Sequence, residues 1–146
     1  DVAPSRGLGD VYKRQDEMLK NGLITDDMYK LTRPKLIEQF ISSDVAARMA
    51  QADKRGDLYK EKPFVMDYEG VLVQGIIDVY FEEEDKIILV DYKTDRVREG
   101  EEDILIRRYR AQMESYQQAL EKITGKCVKE IYIYSVTLQK TIPVHV

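Results

Sequence analysis

Four consecutive apolar residues, Ile87, Ile88, Leu89 and Val90, run directly into Asp91-Tyr92-Lys93, and this junction limits what the 146-residue chain can fold into. A short apolar run rich in β-branched residues reads as a strand buried on both faces. Ending it in two charges is costly unless the charges are used. Residues 75–81 form a second β-branched and aromatic run, separated from the first by the acidic Glu82-Glu83-Glu84-Asp85-Lys86. The pattern predicts an antiparallel hairpin with a charged tip. A turn centred near Glu84 and Asp85 brings Asp78 opposite Asp91 or its neighbour, although thirteen positions separate them. The two-residue period of a strand puts Asp91 and Lys93 on one face and Tyr92 on the other.

Two converging carboxylates repel each other and invite a shared proton or a cation, and hard oxygen ligands favour Mg²⁺ or Mn²⁺. In phosphodiester hydrolysis such a metal polarises the phosphate and helps make hydroxide, while a lysine two residues on neutralises developing charge or orients the water. The simpler alternative is a strand-end ion pair between Asp91 and Lys93, with Asp78 facing solvent. Asp-x-Lys alone does not decide between them, because so short a motif recurs by accident.

Further along, residues 101–123 carry Leu105, Tyr109, Met113, Tyr116, Leu120 and Ile123 at helical spacing, which predicts an amphipathic helix. Gln112 and Tyr116 are four apart and share a face of it, where an amide and a phenol could reach a phosphate, a base or metal-bound water. Alternatively, Tyr116 is core and Gln112 its boundary.

Taken in order, Gly75-Ile76-Ile77-Asp78, Asp91-Tyr92-Lys93-Thr94-Asp95 and Gln112-x-x-x-Tyr116 resemble the RecB-like branch of the PD-(D/E)XK nucleases over roughly residues 16–146. The resemblance implies an α/β, restriction-endonuclease-like (PD-(D/E)XK) core, a mixed central β-sheet flanked by helices. It implies Asp78 and Asp91 as metal ligands with the Tyr92 backbone carbonyl, Lys93 as the catalytic lysine, and Gln112 and Tyr116 as an accessory pair. Glu61, in Glu61-Lys62-Pro63-Phe64, resembles the family's glutamate before Pro-Phe; an exposed glutamate opening a strand is the alternative. The implied activity is a Mg²⁺-dependent (or Mn²⁺-dependent) DNA exonuclease within an ATP-driven helicase-nuclease that processes double-strand breaks. The implied partners are a DNA single strand delivered from a duplex end and a second nuclease subunit of the AddB type. The family also carries a motif histidine on an upstream helix. The sole histidine here, His145, lies next to the C-terminus and is not its counterpart, so that helix is expected before residue 16.

The first fifteen residues are read as no part of this family, and Ser5 to Gln15 as a translated sequencing-adaptor remnant replacing native sequence. The expected organisation is thus a non-native 1–15 and a nuclease-domain part over 16–146. No Gly-x-x-x-x-Gly-Lys-Ser/Thr motif occurs in the chain, so ATP use is expected only of an upstream helicase region.

Composition fits one globular domain: 43% hydrophobic, 34% charged, with no apolar run of about eighteen residues to cross a membrane as a helix. The single cysteine, Cys127, has no internal disulfide partner; it is expected to be a buried or half-buried thiol, and the compartment to be the cytoplasm. A net charge of −4 argues against a sequence-independent DNA clamp but not against a nuclease, whose positive charge can be local. Arg96, Arg98, Arg107, Arg108 and Arg110 are candidates for that charge. A solvated face balanced by Glu99, Glu101, Glu102 and Asp103 is the alternative.

Short helices are expected over 16–21 and from Thr25 into Leu31. One longer helix is expected from Pro34 to about Asp53, striped by Leu36, Ile37, Phe40, Ile41, Val45, Ala46 and Met49 and ended by Gly56. Strands are expected at 64–68, 71–80, 128–136 and 138–144, the last at an edge because of Pro143. Two other readings stay open: a catalytically inactive DNA-binding or scaffold module of the same fold, and a stand-alone PD-(D/E)XK nuclease.

Overall fold

A computed structural model describes residues 33–146. The helices expected before Leu31 and the unusual opening stretch lie outside the described residues. Two helices, α1 (Pro34–Ile41) and α2 (Asp44–Arg55), precede strands β1 (Leu58–Tyr68), β2 (Val71–Glu83) and β3 (Lys86–Lys93). Helix α3 (Glu102–Thr124) then leads to β4 (Val128–Ser135) and β5 (Lys140–Pro143). The strands form one mixed sheet in chain order. Three pairings are antiparallel, and β3 with β4 is parallel because α3 carries the chain back over the sheet between them.

Each face of the sheet is covered at its centre. On one, Ile37 and Phe40 of α1 and Met49 of α2 pack on Val79, Phe81, Ile88, Val90, Tyr92 and Tyr134. On the other, Met113, Tyr116 and Leu120 of α3 pack on Ile77, Leu89, Ile131 and Ile133. Burial on both sides explains the unbroken apolar run: Ile87, Ile88, Leu89 and Val90 are all 0% exposed. The fold is the expected α/β type with a mixed sheet between helices.

The hairpin turns where the charge pattern predicts. Glu83 pairs with Lys86, and Glu84 and Asp85 both take positive φ, at 49° and 64°. This is the handedness that a two-residue hairpin loop requires, supplied here without glycine. Lys126 holds the tip by reaching Glu82 (2.7 Å) and Asp85 (3.2 Å).

Several expectations need correction. The helix expected from Pro34 to about Asp53 is two. Ser43 donates its hydroxyl to the Phe40 carbonyl (2.6 Å) and accepts from the Ala46 N–H (3.2 Å), so one side chain closes α1 and caps α2. The apolar stripe survives because both helices lie on the same sheet face. Ile123 is 63% exposed; only one turn from Gly125, α3 has run past the surface it packs against. Cys127 is exposed, not buried, because it sits in the short link between α3 and β4. Strand β1 begins at Leu58, so Glu61 lies inside a strand and does not open one.

Candidate active site

The polar end of the α3 face is built by a local break in strand alternation. Ile77 and Tyr80 are three apart yet join the same core cluster; so do Phe64 and, packed against it, Tyr59, which are five apart. Strict alternation would send each pair to opposite faces. The ladder between β1 and β2 pairs Lys60 with Val79 and Lys62 with Ile77 but skips Glu61 and Asp78 between them, and Glu61 has φ 50°. The register is the same on either side of this unpaired position, so neither strand gains a residue; instead the side chains of both strands change face there. As a result, Ile77 stays in the core while Asp78 points to the same side as Asp91.

The structure brings Asp78, Asp91, Lys93 and Gln112 together. Asp78 Oδ2 accepts the Tyr92 N–H (2.9 Å), where continued register would have paired the strands directly. Asp91 is 2% exposed. Lys93 Nζ lies 2.9 Å from Asp91 Oδ2 and donates to Gln112 Oε1 at 2.9 Å. The Lys93–Asp91 contact is close but not aligned as a hydrogen bond, and Asp91 Oδ2 is left as a buried oxygen with no hydrogen-bond donor. Native proteins rarely leave such an atom unsatisfied unless it has an unfilled role. The ion pair of the simpler reading is thus real, yet it does not fully satisfy the carboxylate.

Burial and the neighbouring Asp91 charge push the Asp78 carboxyl up to about 7, against the opposing pull of the Tyr92 N–H and Lys93. Two carboxylates that resist being charged together, one with an orphaned oxygen, have the donor chemistry of a hard divalent cation site. The cluster is small: among the described residues no three His, Cys, Asp or Glu side chains converge as a metal site.

Tyr92 sends its side chain to the other face, edge-on to Phe40 (5.3 Å between ring centres), so only its backbone faces the carboxylates. Tyr116 is buried; its hydroxyl donates to the Ile76 carbonyl (3.1 Å) and its ring meets Phe64 edge-on. Burial, then the charges of Asp91 and Asp78, push its phenol up to about 12, so it remains a donor at neutral pH. Gly75 makes room for this packing, since a Cβ there would lie 3.1 Å from the Phe64 ring and 3.4 Å from the Tyr116 ring. Tyr116 is therefore core, as the second of its two readings has it, with its hydroxyl bound to the Ile76 carbonyl.

Glu61 is not brought in. Its backbone stands beside Asp78, but its side chain is exposed and has no hydrogen-bond or ion-pair partner among the described residues. His145 is exposed at the far end of the chain, as expected. The arginines divide. Arg108 binds Asp95 (2.5 Å) and Arg110 donates to the His145 carbonyl, while Arg96, Arg98 and Arg107 remain exposed. Sequence reasoning missed the part played by Tyr109 and Asp95. Tyr109 places its ring 4.0 Å from Lys93 Nζ and donates its hydroxyl to Asp95 (2.8 Å). The signal was available: Tyr109 is one helical turn before Gln112, and Asp95 is two residues beyond Lys93.

The family model described as the PD-(D/E)XK nuclease superfamily matches residues 11–142. The chain is also similar to proteins named as the A component of an ATP-dependent helicase/nuclease. That of Clostridium perfringens is 39% identical over 145 residues, covering 88% of this chain and 11% of the relative. That of Thermoanaerobacter pseudethanolicus is 37% identical over 146 residues (92% and 12%), and that of Alkaliphilus oremlandii 39% over 139 (86% and 11%). The chain thus spans about a ninth of the length of these relatives. With the matched region containing the hairpin, the acidic pair, Lys93 and Gln112, this chain belongs to the PD-(D/E)XK nuclease superfamily.

Proposed function

We propose that this chain is part of the nuclease domain of an AddA-type helicase-nuclease and hydrolyses phosphodiester bonds of DNA single strands fed to it from a duplex end during double-strand-break repair. The observation that carries the reading is the buried Asp91 carboxylate beside Asp78, its Oδ2 in ion-pair contact with Lys93 but without an aligned hydrogen bond. The similarity to the A components of helicase/nucleases supports the wider setting. There, ATP serves the helicase part of the longer protein, an AddB-type protein is the partner, and the cytoplasm is the compartment.

Asp78 and Asp91 would hold Mg²⁺, with Mn²⁺ as a substitute, and the Tyr92 carbonyl oxygen would add a third ligand. When bound, the cation supplies Lewis acidity toward a phosphate oxygen and lowers the pKa of a water. Asp78, whose carboxyl is pushed up to about 7 by burial and by the Asp91 charge, would hold the cation as a carboxylate, since a bound positive charge would favour its ionised form. Lys93 stands beside the acidic pair, where its side chain neutralises charge developing on the phosphate. Gln112 orients that side chain through its own side-chain oxygen. Tyr116 ties α3 to the strand bearing Asp78. Glu61, exposed and next to Asp78 only along the backbone, is given no part in the chemistry at the pair.

One observation favours a second reading. Lys93 already pairs with Asp91 at 2.9 Å, which is what a catalytically inactive DNA-binding module would need to keep the carboxylate neutralised. Cleavage of linear DNA with Mg²⁺ by the longer protein containing this domain separates the two. Asp91→Ala and Lys93→Ala should each abolish cutting and leave the fold intact. Near-normal cutting by both would reject the site. A wild type that binds DNA without metal and does not cut it, with binding retained in Asp91→Ala, would favour the binding module.

A further inference from the structure

Lys93 is held on three sides, and only two of the three contacts are polar. Its ammonium meets Asp91 Oδ2 (2.9 Å), Gln112 Oε1 (2.9 Å) and the ring of Tyr109, whose centre is 4.0 Å away. That ring is itself fixed. The Tyr109 hydroxyl contacts both oxygens of Asp95 at 2.8 Å, and Arg108 donates to Asp95 Oδ2 at 2.5 Å. Asp95 follows Lys93 by two residues, so the loop leaving β3 and the first half of α3 close a ring of contacts around the lysine stem. Burial alone would raise the Asp95 carboxyl, but the hydrogen bonds from Tyr109 and Arg108 hold it below the usual range, so it remains an ionised acceptor paired with a guanidinium.

Resting on the nuclease reading above, we infer that Tyr109 is a positioning residue for Lys93, holding the ammonium by its ring face while Asp95 and Arg108 hold the ring. The choice of an aromatic has a physical reason. Lysine has a flexible four-carbon stem, and an ammonium that must act on a phosphate needs a fixed place. A third carboxylate would fix it but would compete for the cation and repel the phosphate. A ring face attracts an ammonium through its quadrupole and carries no net charge. It would also hold the ammonium if Asp91 were to ligate a cation. The negative charge that anchors the ring, on Asp95, is set back behind the phenol and neutralised by Arg108.

Three variants separate the ring from the hydroxyl. Tyr109→Phe keeps the face and loses the tie to Asp95; Tyr109→Leu loses both; Tyr109→Gln retains a helix former able to reach Asp95 but has no ring. In the full chain, NMR of the lysine Cε methylenes should show the Lys93 protons displaced upfield by the ring, with the signal identified by its loss in Lys93→Arg. The displacement should persist in Phe and vanish in both Leu and Gln. In the longer, cleaving protein, Leu and Gln should lower kcat about tenfold with KM for DNA nearly unchanged, and Phe should restore most of the rate. A Lys93 signal without upfield displacement in the wild type, or Gln restoring the rate while Phe does not, would overturn the inference. The latter would mean that pinning the loop is all that Tyr109 does. Absence of cutting by the wild type would count against the nuclease reading alone, leaving the NMR result to decide the positioning.

Discussion

The two faces of β3 are made by the same eight residues and do opposite work. Toward α1 and α2 it presents Ile88, Val90 and Tyr92 to Phe40 and Met49, an apolar contact closed by edge-on aromatic pairs. Toward α3 it presents Ile87 and Leu89, then Asp91 and Lys93, so an apolar core gives way within one strand to a buried acidic pair. Strand parity separates stability from chemistry at no cost in length. The helix-pair face should therefore be sensitive to loss of volume and indifferent to metal, and the acidic end of the α3 face the reverse.

The largest expected effect is on rate. Asp91→Ala in the longer protein should lower DNA cleavage at least about a thousandfold, since it removes a metal ligand, while the unfolding midpoint of the domain stays within a few degrees of wild type. Collapse of the fold in this variant would mean that the two faces are not separable. On the other face, Phe40→Ala should cost about 3–5 kcal/mol in denaturant unfolding, because Phe40 is 0% exposed and touches the rings of Tyr92 and Tyr134. Mg²⁺ should not rescue it beyond its effect on wild type.

A smaller effect has a defined pH dependence. The Asp78 carboxyl is pushed up to about 7 in the fold, against about 4 in an unfolded chain. Between those values the folded state keeps a proton that the unfolded state has lost, so this group makes stability fall as pH rises from about 4 to about 7, and stability stays lower above that. Without metal, Asp78→Asn should stabilise the protein by about 1–3 kcal/mol at pH 8 and have almost no effect at pH 4. An equal effect at both pH values would contradict the burial and charge argument. Saturating divalent metal should reverse the order at pH 8, stabilising wild type and leaving Asp78→Asn unchanged. The smallest effect lies at the tip. Replacing Glu84-Asp85 by Asn-Gly should add about 0.5–1 kcal/mol, since both positions have positive φ and the exposed Lys126–Asp85 pair contributes little.

The hairpin, its turn and the meeting of Asp78 with Asp91 were legible because each follows from a two-residue period and a charged tip. Gly56 and Gly125 were equally legible as helix ends, both taking the left-handed conformation that glycine favours. The break between α1 and α2 was not, because periodicity shows which face is apolar and Ser43 changes only the backbone path. Nor was the change of face at Glu61 and Asp78, which leaves hydrophobic and polar residues in plausible alternation while changing which of them share a face. The Lys93–Tyr109–Asp95 ring was hidden for a different reason. Tyr109 fits the apolar stripe of α3 and also serves as a cation contact, and spacing alone reports only the first.

Whether Asp78 and Asp91 form one cation site is decided by Mn²⁺ titration of the full chain followed by NMR line broadening, with Asp78→Asn as the control. Broadening should centre on residues around Asp78 and Asp91 at low Mn²⁺ and be largely lost in the control. Broadening spread over the acidic tip at Glu82 to Asp85, or unchanged in Asp78→Asn, would contradict a shared site.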